Sequence, residues 1–166
     1  VLGAFERQEH RALGEHIAWA ESNAIVFAIP AGGLPVAAVI AHELMLPLDV
    51  AVVSKITLPW NTEAGFGAVA FDGSVRLNQA LIDQLSLGEE DIREGVDRTR
   101  HKVMKRLRRF RGDRPFPASA RSPAILVDDG LASGYTMLAA IEALRKSGAQ
   151  QIVVAVPTGQ IDAVRR

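Results

Sequence analysis

Two adjacent carboxylates lead into a run of small residues at Asp128, Asp129, Gly130, Leu131, Ala132, Ser133, Gly134, Tyr135 and Thr136. An apolar stretch, Ala124 to Val127, runs straight into the pair, and a helix-forming stretch follows from Thr136. A strand end, a glycine loop and a helix start together make an anion site, because the first N–H groups of a helix lack partners and carry the positive end of its dipole. Gly134 allows close approach of the backbone to a phosphate, and Ser133 and Thr136 add hydroxyls. Carboxylates beside such a loop are out of place if the ligand is only an anion. They fit a ligand that also carries hydroxyl groups, so a sugar phosphate satisfies both halves. A bare Asp-Asp-Gly is ordinarily a turn. The buried strand before it and the Ser-Gly-x-Thr helix start behind it turn the reading toward a ligand loop.

A second backbone cradle is predicted at Pro30, Ala31, Gly32 and Gly33, where another apolar run meets two glycines and then a helix. On its own a Gly-Gly pair is most often plain loop punctuation. The third candidate is Lys55, at the end of an apolar run and before a Pro- and Gly-containing stretch over 57–67.

The elements that must position these groups read as alternating strands and helices. Residues 5–22 are rich in helix formers, with a rough apolar stripe. Ala24 to Ile29, Asp49 to Ser54, Ala124 to Val127 and Gln151 to Val156 are short continuous apolar runs, the signature of buried parallel strands. Leu34 to Leu46 reads as a buried helix ending before Pro47, Leu58 to Gly67 as a loop, and Ala68 to Leu77 as a hairpin about Asp72 and Gly73. Asn78 can cap a short helix through Leu85, and Ser86 with Glu89 has the spacing of a capping box. Behind it Ile92, Val96, Thr99, Val103, Leu107 and Phe110 form one helical stripe, with acidic residues early, basic residues late and Gly112 at the end. Thr136 to Lys146 is a helix closed by Gly148. The order predicts a three-layer α/β sandwich with a mostly parallel core sheet, as one domain over 1–166 with a hood-like helical insertion at about 78–115.

Composition narrows the chemistry. The chain of 166 residues has 48% apolar and 23% charged residues, an ordinary globular balance. Its net charge of +0 supplies no global field toward nucleic acid or membrane, so Lys105, Arg106, Arg108, Arg109 and Arg111 read as a solvated, dipole-matched helix face. With Cys 0, thiolate catalysis and disulfides are excluded. No apolar run approaches a membrane span, the stretch Val1 to Phe5 does not read as a signal peptide, and a cytoplasmic location is expected. The chain starts without Met and stops in what reads as the first turns of a helix, so the fold is expected to be incomplete at its C-terminus.

Residues 125–136 resemble the signature of the type I phosphoribosyltransferases: a short apolar strand, an acidic pair and a Ser-Gly-x-Thr loop. The resemblance implies that Asp128 and Asp129 bind the ribose hydroxyls of 5-phosphoribosyl-1-pyrophosphate (PRPP). It places the 5′-phosphate on Ala132, Ser133, Gly134, Tyr135 and Thr136. It places the pyrophosphate on Ala31, Gly32, Gly33 and Lys55, with a non-proline cis peptide expected at Pro30–Ala31 and a closing loop over 57–67. Mg²⁺ is implied as cofactor, held mainly through PRPP, and a nitrogenous base or amine as acceptor. A homodimer is expected, with the insertion as hood or dimer contact.

More loosely, residues 24–157 are similar to bacterial and archaeal phosphoribosyltransferase-like proteins of unassigned substrate, through the Gly-Gly-x-Pro-Val of 32–36, the Gly-Ala-Val-Ala of 67–70 and the Arg-x-Arg-Gly-x-Arg-Pro of 109–115. Two positions depart from the pattern. Those proteins usually carry Arg where this chain has Ala31, and the 6-oxopurine enzymes carry a carboxylate where it has Ala132. The resemblance therefore implies phosphoribosyl transfer but disfavours hypoxanthine-guanine salvage, and no residue stands out as a general base. The alternative is a regulator that binds PRPP or a nucleotide without turnover.

Overall fold

The computed structural model describes residues 23–117, 122–132 and 134–159. The expected helix over 5–22, Ser133 and the expected helical turns after Gln160 lie outside the described residues.

Four strands form a parallel sheet: β1 (Ile25–Ala28), β2 (Leu48–Val50), β6 (Ala124–Val127) and β7 (Ile152–Ala155), in the order β2-β1-β6-β7. Along β1, Val26 and Ala28 face one apolar cluster while Phe27 faces the other. In β6 Ile125 and Val127 share the first cluster, and Leu126 lies in the second. Side chains alternate between faces, and along β1 and β6 both faces are covered. That is why these two central strands read as unbroken apolar runs rather than alternating ones. At the sheet edges Leu48 of β2 and Val153 and Val154 of β7 are exposed, so Gln151 to Val156 holds a strand without the burial expected of it.

Helix α1 (Gly33–Glu43) covers the first face through Ala37 and Ala41. The other face is covered by α4 (Tyr135–Lys146), through Met137, Ala140 and Leu144, and by a second sheet. That sheet is antiparallel, in the order β3-β4-β5, from β3 (Val53–Leu58), β4 (Asn61–Ala70) and β5 (Val75–Leu77). A short helix α2 (Gln79–Leu85) and a long one, α3 (Glu89–Arg111), complete the described chain. The α/β fold with a parallel core sheet is as expected.

Three local expectations are corrected. Asp49 to Ser54 is not one strand. The chain leaves the parallel sheet after Val50 and enters the antiparallel one at Val53. Ala51 and Val52 are fully buried between the two, so hydrophobicity carries no mark of the boundary. Leu58 to Gly67 is not a loop, because β4 starts at Asn61 and pairs with β3. Its glycines are strand residues that admit close neighbours. A Cβ on Gly65 would overlap the Lys55 side chain, and one on Gly67 would lie 2.5 Å from the Arg76 carbonyl oxygen. Ser86 is not the N-cap of α3. It ends α2 in the left-handed region with φ 50°, and Gly88 opens α3. The Asp72–Gly73 hairpin and the Asn78 cap are present, the latter through Leu81 N–H on Asn78 Oδ1 at 3.3 Å.

Helix α3 buries Gly95, Thr99 and Val103, in phase with the expected stripe. Gly95 lets the helix sit tightly on the second sheet, since a Cβ there would meet Phe66 at 3.0 Å and Ile56 at 3.1 Å. Its basic end is not wholly a solvated face. Arg111 is 5% exposed, pairs with Asp49 Oδ2 at 3.3 Å, donates to the Pro115 carbonyl and lies over the Phe116 ring. Phe116 in turn stacks on Phe27 and Phe71. Burial lowers the Arg111 pKa from its usual range and the Asp49 carboxylate raises it. These contacts fasten the end of α3 to the parallel sheet. They also hold the preceding turn, which carries Arg106, in place.

Candidate functional site

Strands β1 and β6 are neighbours in register, with Ala28 opposite Val127, so their carboxyl ends emerge side by side. The helices that follow them diverge: α1 goes to one face of the sheet and α4 to the other. Such a switch point leaves a crevice beyond the strand ends, where open α/β sheets take ligands. The two candidate loops, far apart in sequence, meet there.

Beyond β1, Ile29 N–H donates to the Val127 carbonyl at 2.8 Å and Gly33 N–H to the Ile29 carbonyl at 3.0 Å. The Pro30–Ala31 peptide bond is cis. A Cβ on Gly33 would lie 2.6 Å from the Val127 oxygen and 2.9 Å from Asp128 Cα, and one on Gly32 would overlap the Asp129 carboxylate. The glycine pair is therefore required by the contact between loops, which its mere occurrence in a turn could not reveal.

Beyond β6, Asp128 is half-buried and Asp129 exposed, and Asp129 N–H donates to Asp128 Oδ1 at 2.9 Å. Burial raises the Asp128 carboxyl to a pKa of about 6. The Asp129 backbone N–H pulls it down, and the Asp129 side chain pushes it up. Gly134, at φ 78°, opens α4 and offers no side chain to cap it. The first turn of α4 thus starts on a glycine beside Ala132, with Thr136 in that turn.

Lys55 makes no hydrogen bond to the glycine loops among the described residues. Its ammonium donates to the Glu63 carbonyl across the β3–β4 hairpin, and its stem lies against Gly65. Two features escape sequence reasoning. Arg106 reaches from α3 to the Pro30 carbonyl at 2.8 Å and to Ser54 Oγ at 3.4 Å. Its only sequence signal is its place three residues after Val103, on the flank of the α3 stripe. Thr158 and Gly159 face the acidic loop: Leu131 N–H donates to the Thr158 carbonyl at 3.0 Å, Leu131 bridges to Gly159, and a cavity of about 420 Å³ lies among Asp129, Gly130, Leu131, Ala132, Thr158 and Gly159. No pattern in the run after β7 distinguishes it from an ordinary strand-exit loop.

Among the described residues no group of three or more acidic, His or Cys side chains could hold a metal ion. The hard oxygens of Asp128 and Asp129 fit a Mg²⁺ ion that takes most of its ligands from substrate and water. No helix among the described residues is long and apolar enough to cross a membrane.

Comparison with known proteins agrees with this geometry. The chain is 38% identical over 159 residues to two Mycobacterium tuberculosis proteins provisionally named phosphoribosyl transferases, MT0597 of strain CDC 1551 and Rv0571c of strain H37Rv. The match covers 94% of this chain and 35% of each relative, so the chain spans about a third of their length. The crystal structure of TT1426 from Thermus thermophilus superposes with a TM-score of 0.70 at 33% identity, over 93% of this chain and 74% of that one. The family model of the phosphoribosyl transferase domain matches residues 71–163, which hold the acidic pair, the small-residue loop and the helix behind it, and the chain belongs to that family.

Proposed function

We propose that the chain is a phosphoribosyltransferase that takes PRPP and transfers its phosphoribose to a nitrogenous base or amine, releasing pyrophosphate. The observation that carries this reading is the junction at the β1–β6 switch point, where the Asp128–Asp129 pair abuts the Gly32–Gly33 loop. A sugar with a phosphate at one end and a pyrophosphate at the other needs both loops at once.

In this reading Asp128 and Asp129 accept hydrogen bonds from the ribose 2′ and 3′ hydroxyls. The backbone from Ala132 to Thr136 takes the 5′-phosphate, and the backbone of Ala31, Gly32 and Gly33 takes the pyrophosphate. The bond from ribose C1 to the pyrophosphate oxygen breaks with its electron pair leaving on pyrophosphate, the acceptor nitrogen bonds to C1, and the proton this nitrogen gives up passes to water or to the released pyrophosphate. Mg²⁺, held between PRPP and the Asp128–Asp129 side, would screen the pyrophosphate charge. The chain's own contribution is orientation and fixed dipoles rather than a covalent step. The cavity lined by Leu131, Ala132 and Thr158 is where the acceptor would approach. With Ala132 there, position 132 itself presents no acid or base to the acceptor.

The test is phosphorus NMR of PRPP with Mg²⁺ and a panel of bases and amines. Pyrophosphate release that depends on both chain and acceptor is the expected result. Binding of PRPP without release for any acceptor would favour a PRPP-binding regulator, and absence of PRPP binding would end the reading.

A pH dependence follows from Asp128. With a pKa of about 6, its carboxylate is the main form at pH 7.5 and the minor one at pH 5.5. Binding through the carboxylate should then weaken by about fourfold over that range, beyond whatever the ligand's own phosphates contribute. Inorganic pyrophosphate, which does not need Asp128, is the control, and an equal pH response of the two ligands would count against the assignment. For stability the sign is opposite. A carboxyl raised in the folded state favours the folded apo chain below the ordinary value of 3.8, and that contribution is lost as pH rises through about 6.

A further inference from the structure

Resting on the PRPP reading, we infer that Arg106 is the cation of the pyrophosphate loop and sets the preference for PRPP over nucleoside monophosphates. The loop Pro30, Ala31, Gly32, Gly33 carries no charged side chain of its own. Lys55 donates to the Glu63 carbonyl and, among the described residues, makes no hydrogen bond to this loop. Among the described residues, Arg106 is the cation hydrogen-bonded to the loop, with Nη2 donating to the Pro30 carbonyl at 2.8 Å. Its other recorded partner, Ser54 Oγ, is neutral. No carboxylate lies within ion-pair distance of Arg106 among the described residues, although Arg76, Arg93, Arg100 and Arg111 all have one.

A half-buried guanidinium without a counter-charge is costly unless an anion supplies one. It also has more N–H donors than these two bonds use, in a planar fork suited to phosphate oxygens. Its position is specific to the pyrophosphate end of the site. It rests on Pro30, whereas the ribose and 5′-phosphate groups belong to the loop after β6. The side chain comes from a helix, and the buried Arg111–Asp49 pair with its Phe116 contact anchors that helix little more than one turn further on. A charge on such a mount is placed before the ligand arrives.

The test measures dissociation constants for PRPP, inorganic pyrophosphate and a nucleoside 5′-monophosphate at fixed Mg²⁺, in wild type and variants. Arg106→Gln is expected to weaken PRPP and pyrophosphate by tenfold or more and to leave the monophosphate within twofold. Arg106→Lys keeps the charge and should retain most of the PRPP affinity. Adding Ala31→Arg to Arg106→Gln should restore a cation at the same loop and recover PRPP binding. Equal losses for PRPP and monophosphate would mean that Arg106 only holds the loop in shape, and no loss for PRPP would mean that the backbone suffices; either overturns the inference. Should Arg106→Gln fail to fold, the nitrogen resonance of the Arg106 guanidinium in the wild type decides. It must shift with saturating pyrophosphate and stay with the monophosphate, and an unmoved signal overturns the inference. Wild-type chain that binds neither PRPP nor pyrophosphate sinks the PRPP reading itself, whereas the variant patterns above bear on Arg106 alone.

Discussion

The double substitution Asp128→Asn with Asp129→Asn should abolish PRPP binding in a chain that still folds. Each hydrogen bond from a ribose hydroxyl to a carboxylate is worth about 1.5–3 kcal/mol, so losing two should weaken binding by about a hundredfold or more. The fold has little stake in the charges. Asp129 is exposed, and the bond recorded for Asp128 is accepted from the next backbone N–H at 2.9 Å, which an Asn oxygen can also accept. Because burial raises the Asp128 pKa, its charge opposes folding at neutral pH, and the neutral amide should leave the melting temperature unchanged or higher. Calorimetric titration of PRPP into the double variant, with a thermal melt beside it, checks both halves. Wild-type affinity in the variant would reduce the pair to a turn.

The glycine pair predicts the second large effect, and it separates site from fold. Gly33→Ala puts a methyl 2.6 Å from the Val127 carbonyl oxygen and 2.9 Å from Asp128 Cα, both main chain at the end of a central strand. Neither can move without shifting β6, so a cost of about 1–3 kcal/mol and a fall in melting temperature of roughly 2–12 °C are expected. The atoms nearest a Gly32→Ala methyl belong to the Asp129 carboxylate, the end of an exposed side chain that can swing away. Gly32 has φ −62°, a conformation alanine adopts freely. Stability should therefore hold while PRPP affinity drops about tenfold or more as Asp129 is displaced. Thermal melts and titrations of the two single variants test the contrast. If both lose stability alike, the loops are coupled more rigidly than their contacts imply.

The two variants also show how far the site was readable in the chain. Asp128 and Asp129 after an apolar strand and before Gly134 are local neighbours. A strand exit and a helix start can be recognised within a dozen residues, because backbone hydrogen bonding and dihedral preference act over that range. The Gly32–Gly33 pair reads in the sequence as a turn or a backbone cradle, with nothing local to show why both positions must be glycine. Its reason is the Asp129 carboxylate and the Val127 carbonyl, which β1–β6 pairing brings from some ninety-five residues away. In the sequence Arg106 is one of several cations on a solvated face, because a helix with acidic first turns and basic last turns accounts for its charges without any partner.

What the sequence by itself determined are the features with a local cause. These are the central strands β1 and β6 as buried apolar runs, the position of β7, the phase of the α3 stripe, the Asp72–Gly73 hairpin, the Asn78 cap, Gly112 and Gly148 as helix ends, and the acidic loop at the mouth of α4. Only the tertiary structure decided how Leu48 to Ala70 divides between two sheets. Ala51 and Val52 are as buried between the sheets as their neighbours are within them, so burial, which hydrophobicity reports, does not change where the chain changes partner. The same holds for Lys55 and Arg106. Whether a cation serves the site depends on where its helix or hairpin docks, and docking is set by contacts distant in sequence: Gly95 against Phe66, and Arg111 against Asp49. Local propensity can specify an element and its ends, but the direction in which a long charged side chain finally points is settled by packing between elements.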